Sequence, residues 1–312
     1  MKKFIFSLFL LLLLPLTLTS CSKEEDTDIV STFYAGYDFA RAVAKDDMTA
    51  SMLLSPGEEV HSYSPSISDI KRCKNSKVFI YVGGESDEEF VEDSILPELS
   101  KDTKVISMMD VLFENDGDIY KEEDPITSLE DDEYDEHIWT SPKNVKIIIN
   151  YIKNVLKEID EENSDNYINN ANEYIASLNI IDTQIRNIVD NSTNKFIVVA
   201  DRFPLLYFVK EYNLEYIAAF KGCEEVTDAA PTKIKAIVDK VIEKDINYIF
   251  VIEKSNKETA NIVKDELKSK NKDVEILTFY TMHNVSKRDY EDKKTYIDFM
   301  NHNIEALQLA LN

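Results

Sequence analysis

Four histidines occur in this 312-residue chain, and three of them stand where coordination chemistry could be done. His61 lies in Ser55-Pro56-Gly57-Glu58-Glu59-Val60-His61-Ser62-Tyr63-Ser64-Pro65, just past an apolar run of strand length at 48–54. His137 lies in Tyr134-Asp135-Glu136-His137-Ile138-Trp139-Thr140-Ser141-Pro142, beyond the run 104–109, and His283 follows the run 274–279 in Tyr280-Thr281-Met282-His283-Asn284. Two carboxylates hold equivalent places: Asp201 directly follows the run 195–200, and Glu253 directly follows 248–252. Imidazole nitrogen combined with carboxylate oxygen is the donor set that a divalent transition metal requires. His302 differs, because it sits inside the amphipathic stretch 293–311, where a solvated or packed histidine is the expected role.

These residues need a scaffold that brings strand ends together. From Asp28 the chain alternates strand and helix, with strand runs at 29–34, 48–54, 77–82, 104–109, 195–200, 215–220, 248–252 and 274–279. Helical stretches fall between them, among others at 37–44, 87–99, 204–212, 232–244 and 257–269. Such alternation predicts an α/β fold of two lobes, each a mainly parallel sheet flanked by helices. In open parallel sheets, ligands sit at the carboxyl ends of the strands, which is where the histidines and the two carboxylates fall. Ser141-Pro142 reads as a helix start, a capping hydroxyl followed by proline at the first helical position. A second helix from Ser164 carries Tyr167, Ala171, Tyr174, Leu178, Ile181, Ile185 and Ile188 at alternating spacings of four and three. One apolar stripe over that length predicts a long rigid spine joining the lobes. The resulting division is an N-terminal lobe at 28–160, a spine at 161–194 and a C-terminal lobe at 195–312.

A formal charge of −24, from 35 basic and 59 acidic residues, argues against a nucleic-acid partner, since phosphate is held by clustered Lys and Arg. A cation is the partner such a surface tolerates best. With six glycines there is no phosphate-cradling loop, and neither a His-Glu-x-x-His helix nor a Gly-x-Ser-x-Gly elbow is present, so the chain does not read as an enzyme.

Lys2 and Lys3 precede an apolar run to Leu18, which is signal-peptide length and short for a bilayer span. It ends in Leu18-Thr19-Ser20-Cys21, which resembles the bacterial lipoprotein cleavage box, with Cys21 carrying the lipid and 21–27 forming a tether. The expected location is the extracytoplasmic face of a cell membrane, on a Gram-positive-type surface. Of the cysteines beyond this point, Cys73 and Cys223, neither a bond nor its absence is specified by the sequence.

Taken together, Thr32-Phe33-Tyr34, Pro56-Gly57, His61-Ser62-Tyr63-Ser64-Pro65, Glu136-His137-Ile138-Trp139-Thr140-Ser141-Pro142, the spine helix and the final Tyr296-x3-Met300-x2-Asn303-x3-Leu307 carry a resemblance. The chain resembles the zinc/manganese substrate-binding lipoproteins of ABC importers, the cluster A-I family sometimes called adhesins. That resemblance implies a solute-binding lipoprotein that holds zinc, with Mn²⁺ or Fe²⁺ as alternatives, in an interlobe cleft. It implies delivery to a membrane permease with its cytoplasmic ATPase, by a monomeric protein; a surface adhesin with structural metal is the alternative. It places ligands at His61, His137 and Asp201. The family's fourth ligand is an acid after the last strand, and here His283 takes that role, with Glu253 in reserve and Asp228 as a supporting acid.

Between Glu114 and Glu136, twelve of twenty-three residues are acidic. Relatives in the family carry a histidine-rich insertion before the second ligand, and this segment resembles an acidic counterpart. It reads as a solvated flexible loop, with weak cation capture near the cleft as the alternative.

Overall fold

The computed structural model describes residues 27–58, 60, 63–222, 229–283 and 285–312. Its first lobe contains β1 (Ile29–Ser31), α1 (Tyr34–Ala44), β2 (Ala50–Met52), α2 (Ile67–Asn75) and β3 (Val78–Tyr81). Next come α3 (Glu88–Phe90), β4 (Lys104–Ser107), α4 (Met108–Glu114), a hairpin of β5 (Lys121–Glu123) and β6 (Glu130–Tyr134), and α5 (Pro142–Ile159). After α6 (Ser164–Asn191) the second lobe is built from β7 (Phe196–Val199), α7 (Leu206–Tyr212), β8 (Glu215–Ala218), α8 (Pro231–Glu243) and β9 (Tyr248–Ile252). It finishes with α9 (Glu258–Ser269), β10 (Glu275–Phe279), α10 (Lys287–Glu291) and α11 (Tyr296–Leu311).

Two four-stranded sheets result, in the orders β2-β1-β3-β4 and β10-β9-β7-β8, with every neighbouring pair parallel. The central strands β1, β3, β7 and β9 are buried on both faces, which is why their sequences are nearly continuous apolar runs, while the edge strands are partly exposed. Each strand of these sheets falls within one of the eight expected runs, although 29–34 and 104–109 run on into α1 and α4, so the two-lobed α/β architecture is the one the alternation predicts.

The 28-residue α6 packs on α1 and α5 of the first lobe and on α7 and α11 of the second. Its buried positions are Tyr167, Ala171, Leu178, Ile181, Ile185 and Val189, so the stripe drifts at its end from Ile188 to the next residue. A straight helix turns slightly less per heptad than a strict 3.5 repeat needs, and the drift to a later residue follows from that. Ser141 caps α5 by accepting the Asn144 N–H, with Pro142 in the first turn, as the Ser-Pro pair predicts.

The core is not divided between lobes. One apolar cluster runs through the first lobe and the α6 stripe and continues to Ile197, Val199, Phe250 and Phe279 of the second sheet. The alternate residues Phe196, Val198 and Ala200 face a separate cluster under α8 and α9. Period-two alternation on β7 thus decides which cluster each side chain joins.

Two expectations need correction. The stretch 87–99 is not one helix: α3 passes into a π turn at Val91–Ile95 and a 3-10 turn at Leu96–Glu98. Pro97 has no N–H and its ring crowds the carbonyl four residues earlier, so a regular α-helix cannot pass through. The acidic segment is not simply a solvated loop either, because β5 and β6 pair antiparallel within it and Glu122 and Glu123 of β5 contact the second lobe. Nearly continuous charge hid that hairpin, since neither strand shows an apolar face.

Candidate metal centre

His137 follows the hairpin and opens the short 3-10 turn Ile138–Thr140 that leads into α5. Its ring is wholly buried. Asp135 Oδ1 accepts both the His137 backbone N–H, at 2.8 Å, and a contact from Nδ1 at 3.0 Å. A carboxylate on Nδ1 selects the tautomer protonated there and presents the Nε2 lone pair for coordination.

His283 lies just after β10 in the other lobe, and its ring centroid is 5.3 Å from that of His137. The residue before it, Met282, has φ +60°, a left-handed conformation uncommon for a non-glycine residue. The loop is held on both sides. Glu253 accepts the Thr281 N–H at 2.7 Å and its hydroxyl at 2.8 Å, on different oxygens, and Trp139 donates its indole N–H to Thr281 O at 2.8 Å. Phe33 packs edge-on to the His283 ring at 5.7 Å and against Trp139 at 6.1 Å, giving an apolar wall.

Glu136 completes the cluster. One ligand atom each from Glu136, His137 and His283 lies within 4.8 Å of the others, and all three residues are buried. Ser86 donates its backbone N–H at 2.8 Å to Glu136 Oε2 and its hydroxyl to Oε1. Gly84 permits this approach, since a Cβ there would stand 2.5 Å from Glu136 Cβ. Burial pushes the Glu136 carboxyl up to about 7, while the neighbouring His137 pulls in the opposite direction.

Asp201 lies two residues past β7 and is 7% exposed. Its Oδ1 accepts the Arg202 N–H at 2.8 Å, whereas Oδ2 is buried with no hydrogen-bond partner among the described residues. It does not lie within 4.8 Å of all three clustered residues. Glu253, the reserve ligand, commits both oxygens to Thr281 and is outside the cluster. His302 is exposed, meets the edge of the Tyr280 ring at 4.9 Å and is not part of the cluster. His61, Asp228, Cys21 and Cys223 lie outside the described residues.

Two site features escaped the sequence reading. Glu136 was one of twelve carboxylates in an acidic run, and only its position beside a buried histidine distinguished it. Asp135, which orients His137, was hidden the same way.

Residues 29–310 match the family model described as zinc-uptake complex component A, periplasmic. The chain belongs to that family. Among its relatives is the zinc-binding lipoprotein AdcA of Streptococcus pneumoniae serotype 4, 25% identical over 99% of this chain and 61% of AdcA. The chain thus spans about three-fifths of the length of that relative. The manganese-binding lipoprotein MntA of Halalkalibacterium halodurans is 26% identical over 100% of both chains. The crystal structure of the Zn(II)-bound ZnuA-like domain of S. pneumoniae AdcA superimposes with TM-score 0.72 at 22% identity, covering 92% of this chain and 99% of that one. That likeness establishes the shared fold.

Proposed function

We propose that this protein captures a divalent transition metal between its lobes and hands it to an ABC importer, with the ion as cargo and no chemical step. The observation that carries this reading is the convergence of Glu136 and His137 from one lobe with His283 from the other in a buried cluster. Two imidazoles and a carboxylate whose ligand atoms lie within 4.8 Å of one another are costly to bury together without a cation to neutralise and bond them.

The proposed ligands are His61, His137, Asp201 and His283, with Glu136 either a further ligand or the carboxylate beside the shell. The buried, unpartnered Oδ2 of Asp201 supports its inclusion, because such an oxygen needs a donor or a cation. Glu253 is better suited to holding the His283 loop than to coordination, and Asp228 keeps its supporting role.

Zinc is favoured, because three imidazoles and one carboxylate form a closed tetrahedral shell suited to Zn²⁺. Manganese or iron is the second reading, and Glu136 is the observation that favours it, as a second carboxylate enriches the site in oxygen. The relatives include both a zinc-binding and a manganese-binding lipoprotein. Lipidation at Cys21 would hold the protein at the outer face of the membrane beside its permease, and among the described residues no helix is long and apolar enough to cross it. Adhesion to a partner surface would be indifferent to chelators, which separates it from metal carriage.

Elemental analysis and calorimetry of the purified protein test this. One equivalent of Zn²⁺ is expected, with affinity reduced by about two orders of magnitude or more in His137→Ala and His283→Ala and unchanged in His302→Ala. Equal affinity in all four proteins would overturn the reading.

A further inference from the structure

The acidic hairpin belongs by sequence to the first lobe, yet its inner residues are anchored in the second. Ile126, at its turn, packs against the apolar cluster under α8 and α9, whose buried members all come from the second lobe. Glu123 is paired with Lys210 of α7 at 2.8 Å and accepts the hydroxyl of Tyr216 on β8. Glu122 is paired with Lys221 at 2.7 Å, just past β8. Both carboxylates are largely buried, with side-chain exposures of 8% and 10%, so these pairs are screened less than surface ion pairs.

The legs of the hairpin converge on one second-lobe side chain. Tyr207 Oη accepts the Tyr120 N–H at 3.2 Å and donates to Asp135 O at 2.7 Å, and Asp135 is the residue that orients His137. The outer residues Glu130, Asp132, Glu133 and Tyr134 are exposed. On another side of the cleft, Lys254 of the second lobe donates to Gly57 O of the first at 2.7 Å.

We propose that the hairpin is an interlobe strap, and that its anchoring by Ile126, Glu122 and Glu123 sets the rate at which the bound ion leaves. The inference rests on the metal-carrier reading given above. Separation of the lobes must either break the strap's contacts with α7, β8 and the second core or drag Asp135 and His137 with them. The strap therefore opposes opening after the ion has arrived, and acts on release more than on capture. Glu123 and Ile126 are positioning residues in this scheme, since neither belongs to the ligand cluster.

The test measures transfer of Zn²⁺ from the full-length protein to excess chromogenic chelator by stopped flow, together with the association rate. Lys210→Glu and Ile126→Asp are each expected to raise the release rate about fivefold or more, with association changed less than about twofold. The charge-reversed pair Glu123→Lys with Lys210→Glu is expected to return release to within about twofold of the unaltered rate, a rescue that general loosening would not show. Thermal melts in EDTA identify a variant that has lost its fold, and the other variant then carries the test. Release unchanged in the folded single variants, or uncorrected by charge reversal, overturns the strap. If the unaltered protein takes up no Zn²⁺, the carrier reading falls by itself. Amide exchange across 120–134 then decides the strap: faster exchange in both variants supports it, and unchanged protection overturns it.

Discussion

Trp139 donates its indole N–H to the carbonyl oxygen of Thr281 at 2.8 Å, wholly inside the protein. The donor lies two residues after His137 and the acceptor two residues before His283, so one hydrogen bond ties the two loops that carry the clustered imidazoles. Trp139→Phe keeps an aromatic ring against Phe33 but leaves a buried carbonyl without its donor. The expected cost is about 2 kcal/mol of stability in the metal-free protein, together with a loss of metal affinity. Urea titration in EDTA and calorimetry with Zn²⁺ check this, and an unchanged pair of values would show that the loops are positioned by other contacts.

Substitution of Asp201 is expected to separate binding from stability. Its Oδ2 is buried with no hydrogen-bond partner among the described residues, a position that favours the cation complex and penalises the metal-free fold. Asp201→Asn is expected to leave the metal-free protein as stable as before, or more stable by about 1 kcal/mol, while weakening Zn²⁺ binding tenfold or more, as about 1.4 kcal/mol of lost coordination would. Melting in EDTA beside Zn²⁺ titration reads both. Destabilisation with intact affinity would assign Asp201 a purely structural role.

Glu136 gives metal binding a proton cost. Burial holds its carboxyl near 7 in the metal-free protein, so below that pH the group carries a proton that a bound cation must expel. Affinity should therefore fall as pH drops below 7, and the imidazoles add to the same trend. At pH 6, Glu136→Gln should release about one proton fewer per Zn²⁺, measured by calorimetry in buffers of different ionisation enthalpy. Equal proton counts would remove Glu136 from the cation's neighbourhood.

Asp87 makes the metal-free fold pH-sensitive. It is fully buried, accepts hydrogen bonds from the Thr32 hydroxyl and the Val82 and Gly83 amides, and is pushed by burial up to about 6 from an ordinary 3.8. Because the folded form holds its proton more tightly than the unfolded form, this group's contribution to stability falls as pH rises from about 4 to 6 and is level above. The parent should lose about 3 kcal/mol relative to Asp87→Asn across that interval, measured by urea unfolding in EDTA. A pH-independent difference would count against the raised value.

Much of the architecture was legible in the chain. Each of the eight sheet strands falls within an apolar-rich run of the sequence, and the α6 stripe from Tyr167 to Ile185 follows helical periodicity. Where the sequence misled, the governing interaction was local but atypical, as at Pro97, or the strands lacked an apolar face, as in β5 and β6.

The sequence by itself determined which residues end strands, and so which loops carry His137, Asp201, Glu253 and His283. That information is local, because hydrophobic period and strand termination are written within about ten residues. Only the tertiary structure decided what those residues do for one another. It brought Glu136 to the two imidazoles, gave both oxygens of Glu253 to Thr281, left Oδ2 of Asp201 buried and unpartnered, and anchored a first-lobe hairpin in the second lobe. Carboxylates look alike along a chain; the donors and cations that folding places around each one, often from the opposite lobe, set its role.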